Sequence, residues 1–269
     1  MRTFEDFLHE LELLETFQQL GRIPSDAVAA SDEMTPTIAT PDAPGARVAS
    51  IRSSRPATKT AAAVPIAIDP ARVARIAAMD WPALMAETAA CTACGLCKQR
   101  KQAVFGVGAE SAAWLFVGEG PGEDEDRQGE PFVGQAGKLL DAMLTAVGLH
   151  RGREVYIANV VKCRPPGNRT PTLDEAAACA PLLDRQIDLI QPTLIVALGK
   201  TAVIRLTGSD ASMASMRGKL HSYRGIPVVA TYHPAYLLRS LTEKLKAWED
   251  LLLAKREMAK RVATEYTKG

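Results

Sequence analysis

The sequence has almost no net charge and few aromatic residues. Its 32 lysines and arginines nearly balance 31 aspartates and glutamates, which leaves a formal charge of +1. This balance gives the chain as a whole no attraction to nucleic acid, so any basic surface must be local. Aromatic residues make up only 5% of the chain. Aliphatic residues are nevertheless plentiful enough to build the buried core of an α/β protein.

Long apolar runs and a secretory signal are also missing. No stretch of about 18 apolar residues is present, so we expect no membrane-spanning helix. Residues 1–6 do not form a basic segment followed by an apolar one, so we expect no signal peptide and a cytoplasmic protein.

The five cysteines are the first chemical signal. In a cytoplasmic chain they indicate metal binding or catalysis rather than disulfides. Cys91, Cys94 and Cys97 form a C-x2-C-x2-C motif, and Cys163 and Cys179 follow much later. Four thiolates from these two segments suit zinc or a [4Fe–4S] cluster. Alternatively, the later pair consists of small buried residues and the motif binds nothing. The spacing does not tell which cysteine of the motif is spare.

Composition divides the chain into three parts. Residues 1–20 have mostly helical apolar spacing and predict a short amphipathic helix, either docked on the main domain or bound to a protein partner. Residues 21–69 are rich in alanine, proline, serine and threonine, and we expect a disordered linker. Residues 70–269 are predicted to form the main domain.

Short β-branched runs alternate with helical stretches in this main domain, which predicts an α/β fold with a parallel sheet covered on both faces. The candidate strands are 114–117, 155–160, 194–198 and 228–232. The candidate helices are 71–79, 81–90, 135–147, 173–190, 201–206 and 242–264. The first of these strands leads into a glycine-rich loop and an acidic run at 123–126, which we expect to be a loop that lines a ligand crevice.

Two motifs resemble nucleotide-binding loops, but each lacks a required glycine. A dinucleotide fingerprint starting at Gly118 would need its third glycine at Glu123. A phosphate-binding loop ending at Gly199-Lys200-Thr201 would need its first glycine at Leu194. Nucleotide binding is therefore disfavoured at both places.

Polar or aromatic residues follow several of the predicted strands. Asn159 lies near the end of the second strand, His233 follows the last strand, and Phe132 lies just beyond the acidic run. An amide can match one edge of a nucleobase, a phenyl ring can stack on it, and an imidazole can donate to a developing anion. Each residue type alone is more often structural, so the prediction rests on their convergence at the carboxyl ends of parallel strands.

Four ordered motifs resemble the family 4 uracil-DNA glycosylases, the iron–sulfur members of the uracil-DNA glycosylase superfamily. The motifs lie at 117–126, 129–134, 159–169 and 233–238, and the resemblance covers roughly residues 80–255. It implies a three-layer α/β/α fold with a central four-stranded parallel sheet. It also implies a [4Fe–4S] cluster of structural function, whose ligands are Cys91, Cys94, Cys163 and Cys179, with Cys97 as the spare thiol.

The reaction implied by the resemblance is removal of uracil from DNA after the base is flipped out of the stack. Phe132 would stack on uracil, Asn159 would read its O4 and N3–H, and His233 would donate to its O2. Asn159 would thereby exclude cytosine, because cytosine reverses that donor and acceptor pattern.

Three further residues are implied by the same motifs. Glu119 and Gly120 would contact the base and sugar, and Glu125 would lie near uracil C5 and exclude thymine. Gly120 stands where other superfamily members have a water-activating aspartate. The residue that handles water therefore stays open among the acids, with Glu119, Glu125 and Asp126 as candidates.

The last motif resembles the minor-groove loop of the superfamily. Leu237 or Leu238 would wedge into the DNA, although packing in the core at a helix start is an equal alternative for each. Arg239, with Arg164 and Arg169 from the preceding motif, would contact phosphates.

The expected partner is uracil-containing DNA, bound by a monomer. The alternatives are a tight or covalent uracil-DNA binder and a non-catalytic iron–sulfur protein that acts through residues 1–20. Covalent relatives carry a basic insert with a histidine, and residues 162–171 have neither.

Overall fold

The computed structural model describes residues 69–266. Within that range the strands form a six-stranded sheet with the order β1-β3-β2-β4-β6-β5. The strands are Val107–Gly108 (β1), Trp114–Gly118 (β2), Val155–Asn159 (β3), Leu194–Leu198 (β4), Leu220–Tyr223 (β5) and Ile226–Thr231 (β6). The predictions for residues 1–20 and for 21–68 of the linker lie outside the described residues.

Helices connect these strands. They are Pro70–Ala77 (α1), Trp81–Ala90 (α2), Glu123–Gln128 (α3), Gln135–Ala146 (α4), Leu173–Ile190 (α5), Lys200–Thr207 (α6), Met213–Met216 (α7), Pro234–Leu237 (α8) and Lys244–Tyr266 (α9), with 3-10 turns at Gly95–Lys98, Pro166–Asn168 and Leu241–Glu243. The six predicted helices are confirmed with ends shifted by at most two residues. Among the described residues, every helix is too short or insufficiently apolar to cross a bilayer.

The four predicted strands are confirmed, and they form the parallel centre of the sheet. The expectation of only four strands was wrong, because β1 and β5 add an antiparallel strand at each edge. β1 has two residues, and β5 is half exposed and partly polar, so neither produces an apolar run. β5 joins β6 through Arg224 and Gly225, whose φ angles of 50° and 85° suit a two-residue hairpin.

Both faces of the central sheet are buried, which gives the three-layer α/β/α arrangement. Leu115 and Val117 of β2 join one core cluster with Leu182 of α5 and Ala202 of α6. Phe116 points to the opposite face and is also fully buried. Burial on both faces explains why these strands are continuous apolar runs rather than alternating patterns.

The acidic run 123–126 was expected to be a loop, and this prediction was wrong. These four acids form the first turn of α3. Negative charge is favourable there because backbone N–H groups and the helix dipole present positive charge at a helix N-terminus. Gly129 ends the helix in the left-handed conformation, with φ of 84°.

The direction of winding reverses beside β2. The chain passes from β2 to β3 on one side and then places β4 on the other side of β2. In open α/β sheets such a reversal leaves a crevice at the carboxyl ends of the strands, where ligands bind. The residues that follow β2, β3 and β6 all lie at this edge.

Candidate active site

A cleft of about 470 Å³ opens at the carboxyl edge of the sheet. Its walls come from the loops after β2 and β3, the segment between α3 and α4, and α8. The cleft brings together eight residues predicted from the sequence: Glu119, Gly120, Glu125, Phe132, Asn159, Arg169, His233 and Arg239.

Phe132 lies against the end of β2 because two glycines leave room for it. A Cβ atom on Gly118 would come within 2.6 Å of the phenyl ring, and one on Gly137 would come within 1.8 Å of the Phe132 carbonyl oxygen. Phe132 has a φ angle of 56°, which is unfavourable for a bulky residue. Arg151 donates to its carbonyl oxygen at 2.7 Å and helps to hold this backbone conformation.

Asn159 ends β3 and is only 2% exposed. Its side-chain oxygen is buried, and no hydrogen-bond partner for it lies within residues 69–266. An unpaired buried polar atom costs about 1–3 kcal/mol, so its retention at the wall of a cleft indicates a ligand. The backbone oxygen of Asn159 accepts a bond of 3.0 Å from the buried ammonium of Lys162, which also donates to Gln186.

His233 precedes α8 and stacks on Phe132, with ring centroids 5.5 Å apart and an angle of 29° between the planes. Its Nδ1 accepts the backbone N–H of Ala235 at 3.1 Å. The neutral ring must then carry its proton on Nε2. Burial, together with the positive charge of Arg239, lowers the pKa of His233 to about 4. The imidazole is therefore a neutral donor at physiological pH.

Glu125 joins two loops of the cleft through its carboxylate. One oxygen accepts the backbone N–H of Gly122, and the other accepts those of Val133 and Gly134, each at 3.0 Å. Both oxygens are thus engaged by the backbone. This arrangement fixes the segment that carries Phe132 relative to α3.

Glu119 makes a different contact. One of its oxygens accepts the hydroxyl of Thr201, at the start of α6. The next residue, Gly120, packs closely against the loop that follows β3. A Cβ atom on Gly120 would lie 2.7 Å from the side chain of Val161. A larger residue at position 120 would therefore have to displace that wall.

Two of the three arginines predicted to contact phosphate are engaged within the protein. Arg164 donates to Asn168 at 2.7 Å and to Glu123 at 3.2 Å. Arg169 lines the cleft and forms a two-bond pair with Glu175, at 2.7 and 2.8 Å. The pairing lowers the pKa of Glu175, chiefly through the hydrogen bond from Arg169.

Around α8 the predicted residues differ in exposure. Arg239 is exposed and lines the cleft. Leu237 is 1% exposed, so it packs in the core, the alternative that the sequence left open. Leu238 is half-buried and lies outside the cleft lining. Tyr236, which sequence reasoning missed, is 39% exposed and lines the cleft.

The cysteines surround a second, small cavity. It is lined by Cys91, Cys94, Cys97, Cys163 and Cys179. Within the described residues, no group of three or more His, Cys, Asp or Glu side chains is arranged to hold a single metal ion. Burial raises the pKa of Cys163, and raises that of Cys179 to about 12. Their ionisation therefore requires nearby positive charge.

Positive side chains and N–H donors reach three of these sulfurs. The contacts are Arg100 Nη1 to Cys163 Sγ at 2.9 Å, the Lys162 backbone N–H to Cys179 Sγ at 3.3 Å, and Arg72 Nη2 to Cys91 Sγ at 3.5 Å. Such donors stabilise sulfur ligands of iron–sulfur clusters. The donor set and its surroundings therefore fit an anionic thiolate site.

Lys162 and Thr201 were not singled out as functional residues. Lys162 lies inside the motif at 159–169, which the sequence analysis found. However, nothing in the sequence indicates that this lysine is buried and donates to Gln186 rather than to a carboxylate. Thr201 was noticed only as part of the rejected phosphate-loop motif. Its contact with Glu119 joins residues 82 positions apart.

Comparisons with known proteins identify the family of this chain. The model of the "Uracil DNA glycosylase superfamily" matches residues 105–252. A type-4 uracil-DNA glycosylase from Thermotoga maritima is 48% identical over 169 residues, which cover 61% of this chain and 88% of the relative. One from Archaeoglobus fulgidus is 44% identical over 163 residues, covering 58% of this chain and 81% of the relative.

A resemblance to part of a larger protein also exists. A DNA polymerase of Bacillus phage SP01 is 33% identical over 134 residues, which cover 50% of this chain but 14% of the polymerase. The similarity therefore concerns one segment of that polymerase.

The contacts of Glu125 predict a structural cost on removing one acceptor. In Glu125→Gln, an amide NH2 replaces one oxygen and faces a backbone N–H, so at least one half-buried donor loses its partner. We expect the free energy of unfolding to fall by about 1–3 kcal/mol in a urea titration. Glu123→Gln is the matched control, since that side chain is 65% exposed and makes a single ion pair. Equal stability of both variants would show that the three backbone contacts contribute little.

Proposed function

The chain belongs to the type-4 family of the uracil DNA glycosylase superfamily, and from this premise we propose that it excises uracil from DNA. The reaction is hydrolysis of the N-glycosidic bond, which leaves an abasic site. The observation that carries the proposal is the unpaired side-chain oxygen of Asn159, buried in a cleft beside Phe132 and His233.

Uracil must leave the helix before it can enter this cleft, and a U·G mismatch lowers the cost of that step. Phe132 then stacks on the base. Asn159 accepts from N3–H and donates to O4 of uracil, which satisfies the unpaired oxygen. Cytosine presents an acceptor at N3 and a donor at N4, so it would leave the same buried oxygen without a partner.

His233 acts on the leaving group. Negative charge develops on uracil O2 as the glycosidic bond breaks, and Nε2–H of the neutral imidazole donates to it. The Ala235 contact at Nδ1 fixes the tautomer that makes this donation possible. In comparable sites, one such donor lowers the activation free energy by about 3–4 kcal/mol.

Glu119 is the better candidate for positioning the attacking water. Both oxygens of Glu125 are engaged by backbone N–H groups, so we assign Glu125 a positioning role rather than a direct one. Glu119 uses one oxygen to accept from Thr201, which leaves the other for water in the cleft. Gly120 lets this loop pack closely against Val161, which follows β3.

DNA would lie across the cleft mouth. Arg239 is exposed there and contacts phosphate in our proposal. Arg164 and Arg169 would bind phosphate more weakly, because each already forms an ion pair with a glutamate of the protein. Leu238 remains a wedge candidate, while Leu237 stabilises the fold from the core.

The cysteine donor set suits a [4Fe–4S] cluster by its chemistry, and we propose Cys91, Cys94, Cys163 and Cys179 as the ligands. When bound, it supplies structural cross-linking rather than chemistry on the base. The ligands come from the segment before β2, the loop after β3, and α5. The residues described at 70–266 together form the proposed glycosylase domain, which contains the whole family match.

The decisive test is release of free uracil from a uracil-containing oligonucleotide. We expect Asn159→Ala to lower single-turnover excision by about 100-fold, because two hydrogen bonds to the base are lost. Thr170→Ala, at the exposed cleft rim, should stay within a few-fold of the parent. Full activity of Asn159→Ala would overturn the site, and a stable protein–DNA adduct on a denaturing gel would favour a covalent binder.

The environment of His233 predicts that uracil excision does not fall as the pH is lowered from 8 to about 5. With a pKa of about 4, the ring stays neutral from pH 8 down to about 5. We therefore expect kcat/KM to show no step near 6.5, the usual pKa of histidine. A step near 6.5 that disappears in His233→Asn would contradict the neutral-donor assignment. Protonation should also favour the unfolded chain as the pH falls from 6.5 towards 4, so stability should decrease over that range.

The cysteine assignment predicts about four iron and four sulfide ions per chain purified without oxygen, with a broad visible absorbance. Cys163→Ser should lose iron and this absorbance. Cys97→Ser, the matched control at the same cavity, should keep both. Zinc without sulfide in the parent chain, or loss of iron in Cys97→Ser alone, would contradict the proposed ligands.

A further inference from the structure

Arg151 is a half-buried arginine to which the proposed reaction assigns no role. It lies between α4 and β3, 21% of its side chain is exposed, and it is not part of the cleft lining. Each of its three guanidinium nitrogens donates a hydrogen bond. Nε donates to Asp141 at 2.9 Å, Nη1 to the carbonyl oxygen of Pro131 at 2.8 Å, and Nη2 to that of Phe132 at 2.7 Å. The guanidinium is thus committed to α4 and to the segment that carries the stacking ring.

The peptide group between Phe132 and Val133 is held at both of its polar atoms. Its oxygen accepts from Arg151, and its N–H donates to Glu125 at 3.0 Å. Together the two contacts fix the plane of this peptide and so constrain the ψ angle of Phe132. The φ angle of 56° is unfavourable for a phenylalanine, so other conformations compete unless such contacts hold this one.

Two successive carbonyl oxygens suit a guanidinium better than other donors. Its planar fork presents two N–H groups in a fixed geometry, whereas the ammonium of a lysine is a compact charge on a flexible stem. The Phe132 oxygen also lies close against α4, since a Cβ atom on Gly137 would come within 1.8 Å of it. Loss of the arginine would therefore leave two backbone acceptors without their donor at the base of the ring.

We propose that Arg151 is a positioning residue for the flipped base, because it holds the Phe132 ring at the angle at which uracil stacks. The inference rests on the proposed function, since it concerns the ring on which uracil would lie. Arg151 does not line the cleft, so it acts on the base only through Phe132. A ring that is already held in place loses little conformational entropy when a flat base stacks on it.

The proposal makes Arg151 and Phe132 a single functional unit. If the arginine acts through the ring, its removal should have little further effect once the ring is gone. An arginine that only stabilised the fold would leave the rate of excision unchanged, or would lower it by the same factor with and without the ring.

The test is a double-mutant cycle on the full-length chain. The measurement is single-turnover uracil release from a duplex at enzyme concentrations below saturation, which reports kcat/KM. We expect Phe132→Ala to lower this rate by about 30-fold and Arg151→Met by about 10-fold, with the double variant within about threefold of Phe132→Ala. Arg151→Lys should recover little, because it lacks the fork. Arg153→Met, the matched control, removes an exposed arginine outside the cleft lining and should keep the parent rate.

Asp141→Ala weakens the same contact without changing the arginine. The Asp141 side chain is 47% exposed on α4 and accepts from Nε of Arg151. Its loss should leave the guanidinium less well oriented and lower the rate about twofold to fivefold, again only while Phe132 is present. If Arg151→Met does not fold, this variant replaces it in the cycle, and an unchanged rate in Asp141→Ala would then overturn the inference.

Binding without catalysis gives a second readout. A duplex with 2′-fluoro-2′-deoxyuridine, whose glycosidic bond resists hydrolysis, is compared with the same duplex containing thymidine. Arg151→Met should bind the uracil duplex about fivefold to tenfold more weakly than the parent chain does, and the thymidine duplex equally well, because only the flipped uracil meets the ring. Additive losses in the cycle, an unchanged rate in Arg151→Met, or equal weakening on both duplexes would overturn the inference. Absence of uracil release by the parent chain on every substrate would instead overturn the proposed function.

Discussion

The cleft depends on the missing side chain of Gly118 at the end of β2. A Cβ atom there would lie 2.4 Å from the side-chain oxygen of Asn159 and 2.6 Å from the ring of Phe132. With glycine, both side chains can meet over the strand end, and His233 can stack on the phenyl ring. The close approach also requires an unfavourable backbone conformation at Phe132, which Arg151 and the fixed neighbouring loop stabilise.

A buried lysine connects this cleft to the cysteine cavity. Lys162 donates its backbone N–H to the sulfur of Cys179 and its ammonium to the backbone oxygen of Asn159. A buried ammonium is costly unless it is hydrogen-bonded and near negative charge, and the cysteine cavity would supply that charge as thiolates. The position of the Asn159 amide, which reads the base in our proposal, is thus tied to the cysteine site through Lys162.

Most of the fold could be predicted because strand and helix signals in this chain are local. The four parallel strands are buried on both faces, and this burial requires apolar runs that are visible in the sequence. β1 and β5 were missed because edge strands need not be apolar. The helix at Glu123–Gln128 was missed because its stability comes from the dipole and from Glu125, which contacts a loop eight and nine residues later, rather than from apolar periodicity.

The sequence by itself determined the fold class, the family, and the groups of residues that would converge at the strand ends. It did so because the order of the motifs and the apolar runs are local features that can be read without knowing the tertiary structure. The tertiary structure decided how each side chain is used. In the folded chain, both oxygens of Glu125 accept hydrogen bonds from backbone N–H groups. Leu237 is buried, whereas Tyr236 is exposed and its ring lies against that of Tyr232. These outcomes depend on packing between residues far apart in sequence, and exposure or pairing at one position is set by neighbours that no local pattern specifies.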